Sequence, residues 1–396
     1  MKLTIGGSPC THWSIAQTKN RETEPSGIGW ELFENYLIAL DRFQPDYFLY
    51  ENNKSMSAAI RAEITKRLGV EPICINSALV SAQNRQRLYW CGKRNPDGTY
   101  HRVDVPQPDD QGILLKDILE TGTALREKAY PVLTTHRSAT AQDAFERAQR
   151  NVVAEPVNVT ADGKAQCLRA TYYKDGIRNM VGNTVDRKTC VDVPAGMAWR
   201  GHERNGNSSS FEMRSDGKSN AVIVGHQNRL VIEYADGKTT PVYEVRDGLI
   251  TIKGKQYPIK LADGYYIIRK LTVRECMRLQ TVPDGYVFPV SDTQAYKMLG
   301  NGWTVDVIAH ILSHCPEITA EPLDVLSMYD GMACGHIALD QLGAHIQRYR
   351  ATEIDKYAIK TACHNFPDII QIGDAFQVRD WARFAFQPSG QMIINL

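Results

Sequence analysis

Cys10 closes the run Ile5-Gly6-Gly7-Ser8-Pro9-Cys10, directly after a short apolar strand, Leu3-Thr4-Ile5, and its glycine-rich turn. A thiol so placed sits at the carboxyl edge of a sheet, where α/β enzymes bind their ligands. As a thiolate it can attack an electrophilic carbon. A lone cysteine is more often a small buried hydrophobe, so its chemistry depends on what accompanies it. Glu51-Asn52 follows the apolar run Tyr47-Phe48-Leu49-Tyr50, and Gln83-Asn84-Arg85-Gln86-Arg87 and Leu299-Gly300-Asn301 add amides and two guanidinium groups. Near the other end, Tyr329-Asp330-Gly331-Met332-Ala333-Cys334-Gly335 joins a strand over 324–329 to a helical stretch. Its glycines let the backbone approach a bound molecule closely. Glu353-Ile354 and Asp374-Ala375 follow, each acidic residue about 20 positions beyond the previous block.

These residues need a rigid frame, and the sequence supplies one in two pieces. Residues 1–92 alternate strands with helices, with helical patterns from Trp30 to Phe43 and over 55–68, and Glu51-Asn52-Asn53 reads as a polar turn. From 269 to 396 the same texture returns, with helices expected over 272–280 and 293–313. Such alternation implies parallel βαβ units and a doubly wound α/β sheet. Residues 93–268 differ. Asp97-Gly98, Asp162-Gly163, Asp216-Gly217, Asp236-Gly237 and Asp247-Gly248 punctuate short alternating runs such as Leu249-Ile250-Thr251-Ile252. That pattern predicts hairpins and long loops, a separate strand-rich domain. The tail Gln391-Met392-Ile393-Ile394-Asn395-Leu396 also reads as a strand.

Bulk composition excludes several classes. The chain of 396 residues has 43% hydrophobic and 23% charged residues and a net charge of +1, which is ordinary for a water-soluble protein of more than one domain. No apolar run reaches the roughly 18 residues that span a bilayer, and the opening segment is too short for a secretory leader. Nine cysteines, never spaced as CxxC, argue against a disulfide framework and a zinc site, so no metal is expected, and they favour a reducing cytoplasm. Between Lys164 and Arg229 there are eleven Lys/Arg against six Asp/Glu. That local excess is as compatible with a solvated loop region as with a phosphate-binding face.

Taken together, the blocks resemble the C5-cytosine-specific DNA methyltransferase family. The match runs through Pro9-Cys10, Glu51-Asn52, Gln83-x-Arg85-x-Arg87, Leu271-Thr272-x-Arg274-Glu275-x-x-Arg278-Leu279-Gln280 and Gly300-Asn301, in the family's order. The Leu-Thr-x-Arg-Glu block is the most specific. The cofactor blocks, which the family places before its Pro-Cys, resemble Tyr329–Gly335, Glu353 and Asp374 at the far end, with Tyr329 in place of the usual Phe. The resemblance therefore implies a circularly permuted chain whose two α/β pieces rebuild one Rossmann-like methyltransferase domain. It makes 1–92 and 269–396 catalytic and 93–268 a target-recognition domain.

The resemblance further implies that S-adenosylmethionine is the cofactor, held by Tyr329, Asp330, Gly331, Met332, Ala333, Gly335, Glu353, Ile354, Asp374 and Ala375, with Pro9 and Asn301 adjoining. Cys10 is the expected nucleophile at carbon 6 of a cytosine flipped out of double-stranded DNA. Glu51 is expected on the base's N3 and amine, Arg87 on O2, Arg85 beside it, and Asn301 bracing the pocket. The segment 11–30 is the expected closing loop, though the register near Glu31 departs from the family's Leu. Arg269, Arg274, Glu275 and Arg278 are expected to form a structural ion-pair network. Arg200, Arg204, Asn205, Asn207 and Arg229 are candidate DNA contacts. A monomer is expected, in the cytoplasm of a bacterial or phage-infected cell, with a cognate restriction endonuclease as candidate partner. Three rivals are an RNA cytosine methyltransferase, whose middle region is usually smaller, an inactive DNA-binding relative, and an NAD-dependent oxidoreductase. The last needs a GxGxxG turn that Gly331-x-x-x-Gly335 does not supply.

Overall fold

A computed structural model describes residues 1–9, 12–15, 21–146, 150–157, 198–200, 210–212, 230–233 and 239–379. Two compact units emerge, one of Met1–Ile118, Lys128–Arg137 and Thr272–Leu396, the other of Leu119–Glu127 and Ser138–Leu271. The boundary expected after residue 92 needs correcting, because it cuts a strand, Gln86–Arg94, that stays paired as far as Lys93 with Tyr47. The boundary expected at 268 likewise falls inside the strand Gly264–Lys270 of the second unit. The expected C-terminal strand 391–396 lies outside the described residues.

The first unit is built on one sheet. Its strands are β1 (Lys2–Gly6), β2 (Tyr47–Asn53), β3 (Ile73–Asn76), β4 (Gln86–Arg94), β5 (Tyr100–Arg102), β6 (Leu323–Met328), β7 (Ile346–Thr352) and β8 (Ile370–Gly373). The order is β8-β7-β6-β1-β2-β4-β3, with β5 on β4. Strands β8, β7, β6, β1 and β2 run parallel, and β4 is antiparallel to each of β2, β3 and β5. All seven residues of β2 are buried, as expected of a strand covered on both faces. It runs on through Glu51-Asn52-Asn53, so these are strand residues and not the expected turn. Pairing across to β4 from Tyr47↔Lys93 to Asn53↔Arg87 keeps the backbone extended there.

The helices follow their caps. Helix α1 spans Ile28–Phe43. Helix α2, Ala58–Leu68, begins three residues later than the 55 expected, because the Ser57 hydroxyl accepts from Ile60 N and fixes the start. Helix α3, Val273–Leu279, opens on a capping box in which Thr272 and Glu275 satisfy each other's backbone N–H. The single helix expected over 293–313 is two, α4 (Asp292–Asn301) and α5 (Val305–Ser313). The break falls at Gly302-Trp303-Thr304, where Gly302 ends α4 in an extended conformation and Thr304 precedes α5. Helices α6 (Cys334–Gln341) and α7 (Lys356–Asn365) follow β6 and β7.

One apolar core joins the chain's two ends. Trp13, Phe33, Tyr36, Phe48, Tyr50 and Trp90 pack in the same buried cluster as Leu326, Met328, Ala375 and Val378. The second unit carries an antiparallel sheet, Thr123–Ala124, Val152–Pro156, Leu230–Glu233, Thr239–Arg246, Leu249–Ile252, Lys255–Pro258 and Gly264–Lys270. Leu249–Ile252 alternates exposed and buried, as its sequence predicts. Among the described residues, no helix is long and apolar enough to cross a membrane.

Candidate active site

The register of the sheet sets the site. Gly6 pairs with both Met328 and Tyr50, Met328 with Thr352, and Thr352 with Gly373. The carboxyl ends of five parallel strands therefore finish level, and the segments after them meet at one edge. The chain leaves β1 toward β2 on one side and β6 toward β7 on the other, so the β1/β6 crevice is the switch point where α/β folds bind ligands. A cavity of about 330 Å³ opens there, within the range of small-molecule sites. Pro9, Glu51, Arg85, Arg87 and Asn301 line it together with Tyr329, Asp330, Gly331, Met332, Glu353, Ile354, Asp374 and Ala375.

The turn after β1 is fastened to β2. A Cβ at Gly7 would stand 2.7 Å from the Glu51 carbonyl oxygen, so only glycine allows this approach. Beyond it, the Ser8 and Tyr50 hydroxyls share a hydrogen bond of 2.7 Å, and Asn52 Nδ2 donates to the Ser8 carbonyl at 3.1 Å. Pro9 is thereby held at the cavity wall. Cys10, the next residue, lies outside the described residues. Cys334 also lines the cavity, but burial pushes its thiol up to about 12, so it is no thiolate near neutral pH.

Glu51 projects into the cavity with both carboxylate oxygens engaged. Oε1 meets Arg87 Nε at 3.0 Å, and Oε2 accepts from Trp303 Nε1 at 3.0 Å. Arg85 lines the same cavity, its guanidinium donating to the carbonyls of Gly300 at 3.4 Å and Gly302 at 2.9 Å. It braces the break after α4, and Gln280 joins it by donating to Leu299 O at 2.5 Å. Asn301 reaches the cavity from that braced turn.

The segments after β6, β7 and β8 form a second constellation. Gly331 has φ +60, a conformation that side chains resist, and its N–H donates to Glu353 Oε2 at 2.8 Å. Glu353 Oε1 accepts from the N–H groups of Ile354 and Asp355 at 2.7 and 2.8 Å. Asp374 Oδ1 accepts from Phe376 N at 3.0 Å. Ile354 is 74% exposed, an apolar plate at the rim. Tyr329 uses its hydroxyl to hold the Leu32 carbonyl at 2.6 Å, and Leu32 lines the cavity. Leu32, and not Glu31, lines the cavity at this point of α1.

Asp330 faces inward. Its Oδ1 accepts from Ser327 Oγ at 2.6 Å and the Tyr349 hydroxyl at 2.7 Å, while Oδ2 is buried without a partner. Burial pushes this carboxyl up to about 7, against the pull of the two hydroxyls. Two expected site residues are not at the cavity. Ala333 is the buried residue at the start of α6, and Gly335 packs so closely beneath Ile5 that a Cβ would meet Ile5 Cδ1 at 2.2 Å. Cavity residues that the sequence did not single out include Trp303, Thr352 and Phe376. Trp303 alone had a visible cue, since it lies two residues past Asn301 at a glycine that interrupts a helical pattern.

Arg269 pairs with Glu155 and Arg278 with Asp284, while Glu275 accepts from Thr272 N at 2.8 Å. These ties hold secondary structure and none reaches the cavity. In the segment 11–30, residues 12–15 and 21–30 are described, and Trp13 is wholly buried with its Nε1 donating to Glu22 at 3.1 Å. Arg204, Asn205, Asn207, Arg229 and the side chain of Arg200 lie outside the described residues.

Comparison with known proteins adds a family. The model described as C-5 cytosine-specific DNA methylase matches residues 1–317. The Type II methyltransferase M.HpaII of Haemophilus parainfluenzae is 27% identical over 322 residues, covering 77% of this chain and 69% of its own. The orphan methyltransferase M.SPRI of Bacillus phage SPR is 24% identical over 372 residues, covering 78% and 81%. A crystal structure of the S. pombe Dnmt2 methyltransferase overlaps 80% of this chain and 77% of its own at 14% identity, with a TM-score of 0.33, too low to carry an argument.

Proposed function

The chain belongs to the C-5 cytosine-specific DNA methylase family, and from that premise we propose that it transfers a methyl group to carbon 5 of cytosine in DNA through a covalent bond to Cys10. One observation carries the reading. A single cavity gathers Pro9, Glu51, Arg87 and Asn301 with Gly331, Glu353, Ile354 and Asp374, residues from opposite ends of the chain.

The residues present fit S-adenosylmethionine, whose sulfonium methyl is electrophilic and supplies the transferred group. Carboxylates at Glu353 and Asp374 suit ribose hydroxyls and an adenine amine, and Ile354 offers an apolar plate. The open backbone at Gly331 lets the methionine end approach. On the substrate side, the Cys10 thiolate attacks carbon 6 and forms an S–C6 bond, which makes carbon 5 nucleophilic. Glu51 accepts from the base's amine with one oxygen and shares a proton with N3 through the other, which compensates the electron density pushed into the ring. Once carbon 5 carries the methyl group, water removes its proton and the S–C6 bond breaks, releasing the Cys10 thiolate. A base within a duplex cannot reach the turn after β1, so it is flipped out.

The chain order is a circular permutation of the family's usual one. In support, the family model ends at 317, while β6, β7 and β8, which carry Gly331, Glu353 and Asp374, run from 323 to 373. The second unit, with its antiparallel sheet, is the target-recognition domain, and Arg200, Arg204, Asn205, Asn207 and Arg229 contact DNA from it. Relatives named Type II methyltransferases make a cognate restriction endonuclease the proposed partner, in the cytoplasm of a bacterial or phage-infected cell. Bisulfite sequencing of DNA from cells expressing the protein tests the reading. Protected cytosines should appear in one sequence context, and DNA converted as fully as in cells lacking the protein refutes it.

A further inference from the structure

Glu51 is held by two donors of different kinds. Arg87 is a long, flexible side chain whose guanidinium is shared, with Nε on Glu51 and one terminal nitrogen donating to the Gln86 carbonyl at 3.0 Å. The indole of Trp303 is stiffer, with two side-chain torsions, and it springs from a braced turn. Gly302 N donates to Met298 O at 2.7 Å, and the Gly302 carbonyl accepts from Arg85 at 2.9 Å and Gln280 at 3.3 Å. The next residue is pinned too, as Thr304 Oγ1 donates to Gln280 Oε1 at 3.0 Å and shares a hydrogen bond of 2.8 Å with Ser77.

A carboxylate held at one oxygen can still rotate about its last torsion, whereas a second donor on the other oxygen fixes its plane. Two oxygens offer about four acceptor positions, and one on each is filled at 3.0 Å. Trp303 therefore supplies the second hold, and with Arg87 on the other oxygen it fixes the plane in which the remaining positions face the cavity. We infer that Trp303 is a positioning residue that orients the Glu51 carboxylate toward the pairing edge of the target cytosine. This rests on the proposed function, in which Glu51 grips that edge.

The substitution Trp303→Phe keeps the ring and removes the N–H. It is compared with wild type on two duplexes carrying the sequence found by bisulfite mapping, one with cytosine at the target and one abasic there. Single-turnover methyl transfer to cytosine should fall roughly tenfold, the scale of a lost hydrogen bond to a charged group. Fluorescence anisotropy should show weaker binding to the cytosine duplex and wild-type binding to the abasic one, because nothing remains there for Glu51 to hold. Calorimetry should show unchanged S-adenosylmethionine affinity, which also reports that the variant is folded. Wild-type turnover by Trp303→Phe, an equal loss of affinity for both duplexes, or a matching loss of cofactor affinity overturns the inference. A wild-type protein that methylates no cytosine sinks the proposed function instead.

Discussion

Asp330 offers a perturbation whose size can be worked out from its surroundings. Its carboxyl is buried beside the cavity with Oδ2 unpartnered, and burial raises it from an ordinary 3.8 to about 7, with Glu353 adding repulsion. In the unfolded chain the group titrates near the ordinary value. Between about pH 4 and pH 7 the unfolded state has therefore lost a proton that the folded state still holds. Stability must fall as pH rises through that window and level off above it. Each tenfold in proton affinity is worth about 1.4 kcal/mol, so the rise to about 7 costs about 4 kcal/mol once the pH is above both values. Asp330→Asn removes the charge and keeps an oxygen for the Ser327 and Tyr349 hydroxyls. The ligand-free variant should be more stable than wild type at pH 8 by about 2–4 kcal/mol, seen as a melting point several degrees higher. The gap should shrink steadily toward pH 4.5. A variant that melts at or below wild type at pH 8, or a gap that does not change with pH, would refute the reasoning.

Glu353→Ala strands three backbone donors at the cavity rim and should weaken S-adenosylmethionine binding by about 1–3 kcal/mol, with Asp374→Ala on the same scale. Calorimetry that finds both affinities unchanged removes the cofactor assignment. Thr272→Ala breaks the capping box of α3 and should cost about 1 kcal/mol of stability in a denaturant melt while sparing cofactor affinity. Deleting 321–396 removes β6, β7 and β8 and bares one edge of β1, so the remnant should be insoluble. Moving 321–396 ahead of residue 1 through a short linker should keep activity, and a soluble 1–320 fragment that still binds S-adenosylmethionine would contradict the permuted reading.

The parts of this molecule that the sequence made legible are those governed by local chemistry. The strands Lys2–Gly6 and Leu323–Met328, and the first four residues of Tyr47–Asn53, announced themselves by apolar runs meeting glycine or acidic residues. The helix expected over 272–280 is the observed Val273–Leu279 with its Thr272 cap. What stayed hidden depends on contacts distant in sequence. Glu51 and Asn53 look like a polar turn until their backbone pairs with Tyr89 and Arg87 of β4. In the helical pattern over 293–313 only Gly302 hints at a break, because Trp303 and Thr304 are tolerable in a helix. Their position is fixed by Arg85, Gln280 and Ser77. Gly335 belonged by spacing to a ligand loop, yet its bareness serves packing on Ile5. Arg85 and Arg87, two residues apart on one strand, part ways for a related reason: one meets the α4 carbonyls and the other meets Glu51.

The covalent role of Cys10 is the centre of the account, and trapping tests it most directly. A duplex with 5-fluorocytosine at the target cannot release a proton from carbon 5, so the S–C6 bond should persist after methyl transfer. Incubated with the protein and S-adenosylmethionine, this duplex should give an SDS-resistant complex, and peptide mass spectrometry should place the methylated base on Cys10. The Cys10→Ser variant should give no such complex while still binding the cofactor. No covalent complex from the wild-type protein, or an adduct mapped to any other residue, would contradict the mechanism.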